Sequence, residues 1–313
     1  MGTWEPGCWS EHGELKVVFV CSPSQISIPD LKTAEDVQWS APVHHETAQA
    51  NFASFKTALE DAGVEVIDYS QYLDSQGQQL SSQLINRFFV RDLACVFGKT
   101  MLPGEAGTFM RRPEYVQVHQ LMNTWFPQAF RMEATNHLKA LEFGDVLILN
   151  QDVVWINVGM RTSLESVEEV KDRIFQAGFS EIGILSLPRR SDTLHLDMNC
   201  NVAGGELMVA KQFVRHFPIH VWTEQGSHYE MPKQFLERHG FAVYWLEQYN
   251  TIPDINFLNL DPETILISKQ AHKQMLKKHP KMDKKKIIEV DVTELEKAGG
   301  GIRCMTLPLV RLK

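Results

Sequence analysis

Apolar residues along this chain fall in short blocks, most of them four to six residues long and set off by turn-forming or charged positions. That length and spacing predict strands. The blocks are "LKVVFV" at 15–20, closed by Pro23, "VEVIDY" at 64–69, "LACVFG" at 93–98, "VLIL" at 146–149 and "VVWI" at 153–156. They continue with "IGILSL" at 182–187, "ELMVA" at 206–210, "FAVYWL" at 241–246, "TILIS" at 264–268 and "KKIIEV" at 285–290. Between them the period changes. In 44–63, Phe52, Phe55 and Leu59 fall on one helical stripe that stops at Gly63. Further helices are predicted near 80–88, over 164–177, at "QFLERHG" (234–240), at "QAHKQMLKKH" (270–279) and at "TELEKAGG" (293–300), with a closing strand that contains Cys304. The glycine pair of "VAGGEL" at 202–207 reads as a hairpin turn. Strand and helix alternate throughout, and no low-complexity linker interrupts them. The expectation is an α/β fold in one domain spanning 1–313.

Composition removes several function classes. The 313 residues are 43% hydrophobic and 22% charged with a net charge of −8, which gives no broad basic field for nucleic acid. The one basic run, "KKHPKMDKKK" at 277–286, is short and interrupted. No stretch has the roughly 20 apolar residues of a membrane span. The start, "MGTWEPGCWSEHGELK", lacks the basic and apolar regions of a secretory signal, and Pro6 stands where a myristoylated Gly2 would need Ser or Thr. Five cysteines at 8, 21, 95, 200 and 304 form no CxxC and no even framework, so a reducing cytoplasm is expected. There is neither GxGxxG nor GxxxxGK[ST], and the reading requires no nucleotide, metal or other cofactor. A homo-oligomer stays open.

Polar chemistry recurs where apolar strands begin. "VRDLACVFG" carries Arg91 and Asp92, "LEFGDVLIL" Glu142 and Asp145, "LHLDMN" His195 and Asp197, and "GGIRCMT" Arg303 and Cys304. In an extended segment His195 and Asp197 would point the same way. Each has an inert reading: a rim ion pair, a turn residue, a structural histidine, a buried thiol packing as a small apolar group. Together they suit nucleophilic chemistry, with Cys304 as thiolate and His195 moving its proton. Several carboxylates around a thiol would raise its pKa. That makes sense if the partner is a planar cation such as a guanidinium, whose fork of donors matches carboxylates.

In these segments the chain resembles the guanidine-modifying enzymes, or penteins: arginine deiminases, dimethylarginine hydrolases and amidinotransferases. "FVRDLA" is similar to the family's Arg-Asp segment, "LEFGD" to its Glu-Gly-Gly-Asp segment, "HLD" to its histidine segment and "GGIRCMTLPLVR" to its nucleophile segment. "SEHGELKVVFVCSP" and "GMRTSLESVEEV" resemble the opening strand and an Arg-Thr segment before a helix, in the family's order over about residues 10–313. The resemblance implies a five-bladed α/β propeller. It implies catalytic Cys304, His195 and Glu142, with Asp92, Asp197, Asp145 and Arg303 contacting a small cationic guanidino substrate. Arg111, Arg112, Arg161, Arg189 and Arg190 are candidates for holding the substrate's tail. Phe143 departs from the pattern, and a bulky side chain there would narrow the pocket or alter the turn. The expected activity is hydrolysis of a guanidinium C–N bond through a covalent cysteine intermediate, with amidino transfer to an amine or guanidine binding without turnover as alternatives.

Overall fold

The computed structural model describes residues 4–25, 27–130 and 139–313. The Met1–Gly2 start lies outside them. One pattern recurs along the chain: two antiparallel strands, a helical crossover, and a third strand parallel to the second. Strand β1 (Leu15–Val20) leads through helices α1 (Leu31–Asp36) and α2 (His45–Asp61) to β2 (Glu65–Asp68), which lies parallel to β1. The predicted stripe is the buried face of α2: Ala48, Phe52, Phe55 and Leu59. Helix α3 (Ser75–Ser81) precedes the hairpin β3 (Ala94–Phe97)–β4 (Thr100–Pro103), which is followed by α4 (Arg112–Trp125). Beyond α4 the chain returns to β4 as a single parallel bridge, Met101 to Phe130.

The third unit is the hairpin β5 (Val146–Ile148)–β6 (Val153–Asn157), then α5 (Leu164–Gln176) and the parallel β7 (Glu181–Leu185). The fourth is the hairpin β8 (Cys200–Ala203)–β9 (Leu207–Lys211), whose turn at Gly204 has φ +64, as "VAGGEL" predicts. A second hairpin, β10 (Ile219–Thr223)–β11 (Gly226–Glu230), is inserted before α6 (Pro232–Arg238) and adds to the edge of β7. The unit is completed by β12 (Ala242–Leu246), parallel to β9. The fifth is β13 (Leu258–Asn259)–β14 (Thr264–Ser268), short helices α7 (Lys273–Leu276) and α8 (Pro280–Asp283), and the parallel β15 (Lys286–Val290). After α9 (Thr293–Glu296), strand β16 (Leu307–Arg311) pairs antiparallel with β1 and supplies the first strand of the first unit.

The described strands thus form five sheets, and the α/β class is as the sequence predicts. Three local expectations are corrected. The helix expected near 80–88 lies at Ser75–Ser81, because the Asp74 side chain caps it by accepting from Gly77 N at 2.7 Å. Cys304 is not in a strand but in a turn closed by Met305 N donating to Gly301 O (3.2 Å) and Thr306 N to Arg303 O (3.1 Å). His195 is extended, but Asp197 lies in the 3₁₀ turn Leu196–Met198, so alternation along a strand does not relate them.

Candidate active site

The site is made by the turns that enter the five units. Asp92 closes the turn Val90–Asp92 before β3, and Phe143–Asp145 is the turn before β5. His195 and Asp197 precede β8, Asn256 precedes β13, and Cys304 precedes β16. Each turn begins where a buried strand has yet to start, which lets a polar side chain face inward among apolar neighbours. All these residues are buried: Glu142, Asp145 and Asp197 at 0%, Asp92 at 4%, His195 at 6% and Cys304 at 7% exposure.

His195 is the centre of one group. Its Nε2 lies 2.8 Å from Glu142 Oε2 and 3.9 Å from Asp92 Oδ1. Burial alone would lower its pKa; the Asp92 charge and the hydrogen bond to Glu142 outweigh that and raise it to about 10. The imidazole is therefore protonated at neutral pH, with Nε2 donating to Glu142. The other Glu142 oxygen accepts from Gly107 N at 2.8 Å and lies 3.5 Å from Arg161 Nη1. Gly144 is fixed by packing. A Cβ there would lie 2.7 Å from His195 Nδ1 and 2.8 Å from Asp92 Oδ1, and Gly144 N donates to that same oxygen at 2.8 Å. Phe143 does not enter the site. Its ring is buried beside Phe97, with centroids 6.0 Å apart, so the departure from the family pattern narrows no pocket.

Cys304 is the centre of a second group. Its N–H donates to Asn256 Oδ1 at 3.0 Å, and its carbonyl accepts from Arg91 N at 3.0 Å, which fixes the backbone on both sides. Its Sγ is 3.6 Å from Asp197 Oδ2. Burial first, then the charges of Asp197 and Asp92, hold the thiol pKa well above its ordinary value. Asn256 also donates to the Asp197 carbonyl at 3.1 Å, tying the two turns together. No motif marks Asn256, whose side-chain partners lie 48 and 59 positions away.

Both aspartates expected to receive a guanidinium already hold one from this chain. Asp92 Oδ2 accepts from Arg111 Nη1 at 2.6 Å, and Asp197 Oδ2 from Arg303 Nη1 at 2.7 Å. Asp92 keeps a lowered pKa: burial opposes ionisation, but His195 and Arg111 prevail. The acidic cluster is thus internally balanced, contrary to the expectation of unpaired carboxylates awaiting a cation. Asp197 Oδ1 has no partner and is the acceptor left over. Arg303 is corrected from a substrate contact to an interior strut. It is 1% exposed and engaged by Glu11 at 2.8 Å, the Val146 carbonyl at 2.7 Å and Asp197.

Among the tail candidates, Arg112 and Arg190 are exposed and paired with Glu105 and Asp192, and Arg189 is exposed. Arg111 is buried, held also by Glu114 and the Phe89 carbonyl. Arg161 remains at the rim beside Glu142, its side chain 12% exposed. Asp92, Glu142 and His195 form the one grouping with metal-ligand chemistry among the described residues, their donor atoms within 4.8 Å of one another. A protonated imidazole offers no lone pair and Arg111 already occupies Asp92, so the set suits a metal ion poorly.

Asp145 is not a surface turn residue. Its Oδ1 accepts from Leu196 N (3.0 Å) and Asn157 Nδ2 (2.7 Å), joining the Glu142 turn to the His195 turn, while Oδ2 has no partner. Burial raises its pKa to about 7, partly offset by His195. A raised carboxyl pKa favours folding fully at pH below the unfolded value, and that contribution is lost as pH rises toward 7. Unfolding free energies followed from pH 4 to 8 should fall further for the wild type than for Asp145→Asn, by about a few kcal/mol. Parallel curves would refute this account of Asp145.

With this geometry in view, the comparisons with known proteins fall into place. The arginine deiminase family model matches residues 71–240 and 246–311, more than half of the chain, and the chain belongs to that family. It is 23% identical over 309 residues to the uncharacterised YkgA of Bacillus subtilis, covering 97% of this chain and 95% of that protein. It is 26% identical over 278 residues to the arginine deiminase of Latilactobacillus sakei, covering 79% of this chain but only 64% of the enzyme's length. Among solved structures it is similar to SxtG, an amidinotransferase of Microseira wollei in the saxitoxin biosynthetic pathway. The match has TM-score 0.67 and 16% identity over 99% of this chain and 98% of that one. A likeness at that identity bears on the fold alone. No helix among the described residues is long and apolar enough to cross a membrane.

Proposed function

We propose that this protein is a cofactor-independent enzyme that cleaves a guanidinium C–N bond of a small guanidino compound, in one catalytic unit built as a closed five-bladed propeller. The observation that carries the reading is a protonated His195 held 2.8 Å from Glu142, together with a backbone-fixed Cys304 whose Sγ is 3.6 Å from the Asp197 oxygen that Arg303 holds, the other Asp197 oxygen being free. Asp92 Oδ1 and Asp197 Oδ1 receive the head group's N–H donors, and Arg161 faces an anionic tail. Docking of the cationic head group drives the Cys304 proton into solvent, since the protonated His195 cannot take it, and the thiolate so formed attacks the central carbon. His195 gives its proton to the departing nitrogen, since an amine leaves poorly without one. The amine departs and an isothiouronium remains on Sγ. His195, now neutral, takes a proton from water, which adds to the same carbon; the C–S bond breaks, the added hydroxyl gives its proton to the departed amine or to solvent, and a neutral ureido product and the thiolate are released. Glu142 keeps the imidazolium oriented and charged.

Transfer to an amine is the second reading. It is favoured by the near end-to-end likeness to an amidinotransferase, against the partial span of the deiminase match. Incubating arginine, dimethylarginine, agmatine and guanidinoacetate with and without glycine or lysine separates the two. Hydrolysis gives ammonia or alkylamine at a rate indifferent to the added amine. A new guanidino compound formed in proportion to acceptor would replace hydrolysis with transfer. Absence of turnover with the whole set, with ligand affinity unchanged in Cys304→Ala and His195→Ala, would leave a binding protein.

A further inference from the structure

We propose that Arg303 is a positioning residue acting as the chain's own counter-charge to Cys304, so that part of the positive charge a thiolate needs is in place before any cationic substrate arrives. The proposal rests on the cysteine-dependent reading above and deepens it.

The geometry is a shared acceptor. Asp197 Oδ2 takes the Arg303 Nη1 hydrogen bond at 2.7 Å and lies 3.6 Å from Cys304 Sγ. The guanidinium and the sulfur are therefore separated by one oxygen atom. The groups that bear on the thiol come from several turns. Asp197 precedes β8 and Asp92 precedes β3, and both disfavour the thiolate. Arg303, from the thiol's own turn, favours it. His195 reaches the same interior from the turn before β8, its proton shared with Glu142. Glu11 stands behind Arg303, accepting from Nη2 at 2.8 Å and from Nε at 3.3 Å, and it also lies 3.8 Å from Arg91.

A second effect follows from the same bond. By occupying Oδ2, Arg303 keeps Asp197 from turning both oxygens to the thiol or the substrate. Oδ1, buried and unpartnered, is the one acceptor that Asp197 itself presents to a head group. A guanidinium held at 1% exposure among two carboxylates and a carbonyl cannot leave to make room. Its charge is a permanent part of the site. The requirement for a positive head group is accordingly weaker than several unpaired carboxylates would impose.

The test is the rate of Cys304 modification by iodoacetamide, a neutral reagent, read on the Cys304 peptide by mass spectrometry from pH 6 to 10 without substrate. Arg303→Gln should slow the reaction at pH 8 about tenfold, the loss that one unit of thiol pKa produces. Arg303→Lys should stay within about threefold of wild type. Glu11→Gln frees Arg303 of a competing carboxylate and should speed the reaction, a change of opposite sign that disrupted packing would not give. The inference is overturned if Cys304 reacts in the wild type and the three variants, folded by circular dichroism, share its pH profile. A wild-type Cys304 inert at every pH, together with absent turnover, would instead remove the cysteine mechanism on which the inference rests.

Discussion

Cys304→Ser should lower turnover of the best guanidino substrate by roughly four orders of magnitude or more, with thermal stability close to wild type. The side chain is nearly isosteric, and its backbone is held by Asn256 and Arg91 rather than by sulfur. A serine hydroxyl next to Asp197 has no base to activate it, because His195 is protonated with its pKa raised to about 10 and its Nε2 committed to Glu142. Quenching the wild type during turnover and digesting it should give a Cys304 peptide heavier by the amidino fragment. Full turnover by the serine variant, or an adduct on any of the other four cysteines, would end the proposed mechanism.

Gly144→Ala should damage catalysis by about two orders of magnitude and should be compared with Phe143→Leu one position earlier. The added methyl would fall 2.7 Å from His195 Nδ1 and 2.8 Å from Asp92 Oδ1, so imidazole and carboxylate must both move. A displacement near 1 Å at reacting groups costs on the order of a hundredfold in rate. Phe143→Leu removes part of a buried ring from the core around Phe97 and should cost about 1–3 kcal/mol of stability, with kcat within a few fold of wild type. Measuring kcat and unfolding midpoints for both variants checks the pair. If Phe143→Leu lost activity like Gly144→Ala, the ring would be shaping the pocket after all.

The two positions also show what could be read from the sequence. The strongly apolar strands β1, β5, β6, β7, β9 and β14 were legible because burial on both faces leaves an unbroken apolar run. Strands β10 and β11 were not. Residues Gly226–Ser227–His228–Tyr229 of β11 are exposed, so no hydrophobic pattern marks them. Helix α4 was missed as well, since its buried face includes Glu114, Gln117 and His119. At the candidate site, motif resemblance nominated Asp92, Glu142, His195, Asp197 and Cys304. It could not show that Arg111 and Arg303 neutralise two of them, because those pairings join residues 19 and 106 positions apart. Glu11, 292 positions from Arg303, was legible only as part of an opening segment.

That last separation bears on how the protein acquires its structure. The pairing of β16 with β1 and the Glu11–Arg303 contact each close a loop of nearly the whole chain, at a chain-entropy cost of about 5 kcal/mol from length alone. The thiol lies on the segment that this closure sets in place, whereas the Glu142–His195 pair spans 53 positions and can assemble beforehand. During refolding from denaturant, the imidazole group should therefore acquire its native environment early and Cys304 late. A partly folded chain would hold an assembled proton donor without a nucleophile, and would be chemically inert until its two ends meet.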